Sequence, residues 1–172
     1  MKVRKGGAPP LKLRLMLEIT PDDIALLNES DLRTLVSLLC EADLKIGGLS
    51  PAHVTWGGHQ NAADAGIDVR VSLPAETAIN GFIPRPDTGF QVKKEDLPSG
   101  KILTEMCPSG SLRDSIQDLA NRKGAYIIVS SQGSVSDSSL RRRRAAMAKA
   151  VEDGSNASEL TLDFYDRTRI AT

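Results

Sequence analysis

Residues 66–73 read Gly-Ile-Asp-Val-Arg-Val-Ser-Leu, and residues 90–93 read Phe-Gln-Val-Lys. Both stretches alternate. Val69, Val71 and Leu73 fall on one side of the first, and Phe90 and Val92 on one side of the second. That period of two marks strands half buried on one face. The opposite sides carry Asp68, Arg70 and Ser72 in the first and Gln91 and Lys93 in the second. If the two strands are neighbours, Asp68, Gln91 and Lys93 share one polar face of a sheet.

Working outward, Leu32, Leu35, Val36, Leu39, Ala42 and Ile46 form one apolar helical stripe between a Ser30 cap and a Gly47-Gly48 stop. The stretch 55–66 (TWGGHQNAADAG) is too polar and glycine-rich for a regular element. Downstream, 94–110 reads as a variable connection. Leu112, Ile116, Leu119 and Ala120 mark a second helix closed by Gly124. Residues 125–130 (AYIIVS) are continuously apolar, as in a central strand covered on both faces. A third helix spans about 136–151, with Leu140, Met147 and Val151 inward, and 160–165 (LTLDFY) is the last strand. Residues 1–20 read as a tail, with Gly6-Gly7 and Pro9-Pro10 opposing regular structure and room for a first strand over 11–19. Helices that return the chain between strands make an α/β fold, a mixed β-sheet flanked by helices, as one domain over 21–172. Residues 166–172 (DRTRIAT) read as a helix just beginning, so the chain is expected to be the N-terminal part of a longer protein.

Composition sets the outer limits. The chain has 172 residues, 22 Lys+Arg against 22 Asp+Glu, two Cys and two His. That length suits a single domain with a core of its own. No apolar run approaches the ~20 residues that span a bilayer, and the basic N-terminus lacks the apolar stretch of a signal peptide. Cys40, Cys107, His53 and His59 are too few and too scattered for a disulfide framework or a zinc cluster. The expectation is a soluble cytoplasmic protein without a membrane partner. Zero net charge argues against coating nucleic acid by bulk attraction, yet basic residues cluster at Lys93-Lys94, Arg122-Lys123 and Arg141 to Arg144.

The shared polar face suggests chemistry. The Asp68 carboxylate and the Gln91 amide oxygen are hard ligands of the kind that hold Mg²⁺ or Mn²⁺. The Lys93 ammonium can orient or help deprotonate an attacking water. These are parts for metal-assisted phosphodiester hydrolysis.

With Asp64-Ala65-Gly66-Ile67-Asp68 ahead of Gln91-Val92-Lys93, the chain resembles the Q-x-K variant of the PD-(D/E)XK nucleases, in the Mrr-type restriction-endonuclease branch, over roughly residues 30–165. The resemblance implies a restriction-endonuclease-like αβββαβ core and Mg²⁺-dependent endonuclease action on double-stranded DNA. It also implies Asp68 and Gln91 as metal ligands and Lys93 as the water-positioning lysine. The wider stretch VTWGGHQNAADAGIDVRV, with GFQVKK, is similar to N-terminal nuclease domains of antiphage NTPases of the STAND class. That implies an antiviral effector assembled as a homo-oligomer through the rest of a longer chain. Relatives often carry a glutamate early in the first helix, where this chain has Arg33. Glu29, Asp31, Glu41 and Asp43 are the nearby acids that could replace it. Asp43 lies at the edge of the apolar stripe and Glu41 opposite it, so Asp43 is the better inward candidate.

For DNA contact, consecutive helical residues fan out by ~100° each, so Arg141 to Arg144 cannot share one face. Arg144, four residues after Leu140, is expected on the apolar seam with its stem along the core. Arg141, Arg142 and Arg143 are expected to be exposed toward the DNA backbone, with Lys94 and His59 beside them. Trp56 is expected to pack at the rim of the core or to stack on a base. Two rival readings stand. Cys107 and Arg113 fit the C-x-x-G-x-x-R loop of a cysteine-dependent phosphatase, although the preceding KILTEM is not strand-like. The other rival is a catalytically inactive nuclease-fold module that binds DNA or assembles.

Overall fold

The structure, a computed structural model, describes residues 18–57, 66–132 and 135–172. Helices α1 (Pro21–Leu26) and α2 (Glu29–Ile46) lead into strands β1 (Val54–Trp56), β2 (Val69–Ser72) and β3 (Asp87–Lys93). Helices α3 (Ser99–Met106) and α4 (Asp114–Asn121) follow, then β4 (Ala125–Ser130), α5 (Asp137–Val151), β5 (Thr161–Tyr165) and α6 (Arg167–Ala171). The strands form one sheet in sequence order, antiparallel from β1 to β3 and parallel from β3 to β5. This is a mixed α/β sandwich, with helices on both faces of the sheet.

Each face of the sheet follows from the alternation. Val69, Val71, Phe90, Val92, Ile127 and Val129 point toward α2 and pack on Leu32, Val36, Cys40 and Leu44. Tyr126, Ile128 and Phe164 point the other way, onto Ile102 and Met106 of α3, Ile116 and Leu119 of α4, and Met147 of α5. Strand β4 is buried at all six positions, as its unbroken apolar run requires. Each large side chain in these layers contributes roughly 1.5–3 kcal/mol by leaving water. On the α4 side, Arg70 ties β2 to its neighbours, donating twice to Asp87 on β3 and once, at 2.9 Å, to Asp118 on α4.

The structure revises the sequence reading in three places. Helix α2 is capped by Asn28, whose side chain accepts from the Asp31 amide, and not by Ser30. Ahead of it stands α1, started by Pro21 and by a reciprocal Thr20–Asp23 capping box. The connection 94–110 contains α3, a short helix whose buried side holds only Ile102 and Met106. Strand β1 falls at the start of the supposed loop and pairs with β2, while His59, Asp64 and residues 11–17 of the possible first strand lie outside the described residues. Among the described residues no helix is long and apolar enough to cross a membrane.

Candidate active site

Asp68 sits immediately before β2, one step beyond the Val69–Phe90 pair, and so stands opposite Gln91. Its amide donates to the Phe90 carbonyl at 2.8 Å, and its Oδ2 accepts from the Val92 amide at 2.7 Å. The side chain thus extends the strand ladder past the end of β2. Gln91 is buried on the α3 side of the sheet, where its Oε1 accepts from the Tyr126 hydroxyl and its Nε2 donates to Glu105 Oε1. Lys93, two residues on, brings Nζ to 3.4 Å from the same Glu105 oxygen. Gln91 and Lys93 thus converge on Glu105, and Asp68 stands across from Gln91 in the strand register.

Glu105 is the member the sequence reading missed. It lies on α3 three residues after Ile102 and one before Met106, toward the inward side of the helix. An acid at that spacing, between residues that must be buried, is the signal that could have found it. Arg113 holds it from the far side, with Nη2 3.5 Å from Oε1 and Nε donating to the Glu105 carbonyl at 2.8 Å. Gly66 leaves room for this arginine, since a Cβ there would come within 2.7 Å of the Arg113 side chain.

Arg33 enters from the other layer. Its Nη2 lies 3.0 Å from Asp68 Oδ1 and 3.4 Å from Glu29 Oε1. Three cations, Arg33, Lys93 and Arg113, thus face three carboxylates, Glu29, Asp68 and Glu105. Of the acids proposed to replace the missing helix glutamate, only Glu29 is linked to the site, through Arg33. Asp43 is instead an anchor for the chain before β3: its Oδ2 accepts from the Ile83 amide at 3.0 Å. It is ten residues from Arg33, about 15 Å along the helix axis. Glu41 pairs with Lys45 at 3.6 Å, away from the sheet.

Burial pushes the Tyr126 phenol well above its ordinary value, with the Glu105 charge adding, Arg113 opposing and Asp68 adding again. Tyr126 is therefore a neutral donor that fixes the Gln91 amide. Beside Asp68 a depression of about 310 Å³ opens, lined by Thr55, Trp56, Ile67, Arg70 and Ser115. Trp56 stands on its rim, 38% exposed.

In kind, the Asp68 and Glu105 carboxylates are oxygen ligands that a hard divalent cation takes; the Gln91 oxygen already accepts from Tyr126, and its amide nitrogen is the end that faces Glu105. Among the described residues no three Asp, Glu, His or Cys side chains gather as a metal cluster. Both carboxylates are already paired with the protein's own cations.

On α5 the arginine run is phased differently from the expectation. Arg143 is the buried one, 7% exposed, with Nη2 donating to Asp96 at 2.7 Å and its guanidinium 4.7 Å over Phe164. Arg144 is exposed and pairs with Asp163 at 2.7 Å. The inward stripe of α5 runs through Arg143, Met147 and Val151, while Leu140 is only half buried. Counting from Leu140 moved the seam by one residue. Arg141 and Arg142 are exposed, paired with Asp137 and Ser139, and Lys94 is exposed as well.

The phosphatase geometry is not formed. Cys107 follows a helix rather than a strand, and its thiol donates to the Ala150 carbonyl at 3.4 Å. Burial pushes that thiol up, and Arg113 is committed to Glu105. In comparisons with known proteins, no family model, no curated protein and no solved structure matches the chain.

Proposed function

We propose that this chain is a metal-dependent endodeoxyribonuclease that hydrolyses phosphodiester bonds of double-stranded DNA. The observation that supports it is the convergence of Gln91 and Lys93 on Glu105, with Asp68 opposite Gln91 on the neighbouring strand. Asp68, Gln91 and Glu105 would hold Mg²⁺ or Mn²⁺, which when bound supplies Lewis-acid stabilisation of charge developing on the phosphate. Lys93 donates to the attacking water or to a phosphate oxygen. Glu105 fixes the Lys93 ammonium from below, and Tyr126 fixes Gln91. Arg141, Arg142 and Lys94 offer exposed charge for the DNA backbone.

The resemblance to antiphage NTPases supports an effector role in antiviral defence. A homo-oligomer accords with it, because cutting both strands needs two sites, which a symmetric assembly supplies. A second reading, DNA binding without cleavage, is favoured by the ion pairs that already neutralise Asp68 and Glu105.

Incubation of supercoiled plasmid with the protein and Mg²⁺ or Mn²⁺ separates the two. Nicking or linearisation that EDTA stops, and that Asp68→Ala and Lys93→Ala each reduce by roughly a hundredfold or more, fits the nuclease. Stoichiometric DNA binding with no cleavage in either metal would leave the binding module.

A further inference from the structure

We propose that Arg33 is the resident counter-cation of this site, and that Arg33 and a divalent ion compete for one oxygen, Asp68 Oδ1. The inference rests on the reading of Asp68 as a metal ligand. Three observations carry it. The first is that Oδ2 of Asp68 is committed to the Val92 amide at 2.7 Å, so Oδ1 is the oxygen left for a ligand. Arg33 Nη2 holds that oxygen at 3.0 Å.

The second is that Arg33 does not satisfy itself in this pose. Its Nε is buried without a hydrogen-bond partner, and a buried donor left unpaired is costly. The third is an alternative seat: the Glu29 carboxylate, one turn earlier on α2, is already 3.4 Å from the same guanidinium nitrogen and is exposed. Arg33 can therefore give up Asp68 while keeping a charged partner. Once released, the guanidinium remains beside the site with a donor fork suited to a phosphate oxygen. Arg33 is thus a positioning residue that sets the affinity of the site for metal.

The test measures Mn²⁺ binding to the whole chain by electron paramagnetic resonance of the free ion, with folding followed by circular dichroism. Arg33→Gln removes the competing charge and is expected to tighten Mn²⁺ binding by about tenfold or more. Glu29→Gln removes the alternative seat and is expected to loosen it by about threefold, the opposite direction. Asp68→Asn is expected to abolish binding alone and in combination with Arg33→Gln. A merely structural Arg33 would shift the melting temperature in both variants without moving affinity in opposite directions. Unchanged affinity in Arg33→Gln, with binding still lost in Asp68→Asn, overturns the competition and leaves the metal site standing. Absence of Mn²⁺ binding in a folded Arg33→Gln chain overturns both. Should Arg33→Gln fail to fold, Arg33→Lys keeps a cation but cannot span both acids. It is then expected to bind Mn²⁺ more tightly than wild type, and wild-type affinity would overturn the proposal.

Discussion

The Tyr126 hydroxyl donates to the side-chain carbonyl of Gln91, joining β3 and β4 by a side-chain bond beneath the site. Removing it by Tyr126→Phe leaves a buried amide oxygen without a donor, which costs about 1–3 kcal/mol. Denaturant unfolding should register that penalty. On the proposed nuclease reading plasmid cleavage should fall as well, because nothing then orients the Gln91 amide from the β4 side.

The same phenol gives a prediction at high pH. Tyr126 and Tyr165 are the two tyrosines of the chain. Burial raises both, with Arg169 partly opposing at Tyr165. An acid whose folded value is raised keeps its proton in the native state after the unfolded chain has released it, so stability falls as pH rises past about 10. Absorbance at 295 nm should stay flat through that value and then climb as helical circular dichroism disappears. Ionisation of either tyrosine near pH 10 in folded protein would contradict the burial.

The arginine run on α5 divides into two kinds. Arg143 is sandwiched between Asp96 and Phe164, so Arg143→Ala should cost about 1–3 kcal/mol of stability. Arg141→Ala with Arg142→Ala should leave stability within about 0.5 kcal/mol. That double variant should instead lower the slope of log K against log salt for duplex DNA by about one to two units, since each phosphate left unneutralised keeps roughly one counterion. Unchanged slope and affinity would assign both arginines to a solvated face and, on the proposed reading, leave DNA contact to Lys93 and Lys94.

The shared face of Asp68, Gln91 and Lys93 was legible because strand parity decides which side chains point the same way, although β3 proves buried on both faces. Strand β4 was legible for the opposite reason, since it does not alternate at all. Glu105 was not, because α3 supplies a single i, i+4 apolar pair, Ile102 and Met106, too little periodicity to separate a helix from a connection. Arg33 could be read as a departure from a pattern. Its partner could not, because Asp68 lies 35 positions away and on another layer. On α5, Met147 and Val151 are inward as their spacing predicts, but counting from the half-buried Leu140 put Arg144 on the seam that Arg143 occupies.

The bond from the Val92 amide to Asp68 gives the site a voice in the backbone. A carboxylate carries no amide proton of its own, so its state is normally silent in nitrogen–proton correlation spectra. Here the proton it accepts belongs to the residue between Gln91 and Lys93. The Val92 resonance and its exchange rate with solvent deuterium thus report on the occupancy of Asp68 at a single position. Anything that draws that carboxylate away from the strand uncovers one specific hydrogen in the middle of the site.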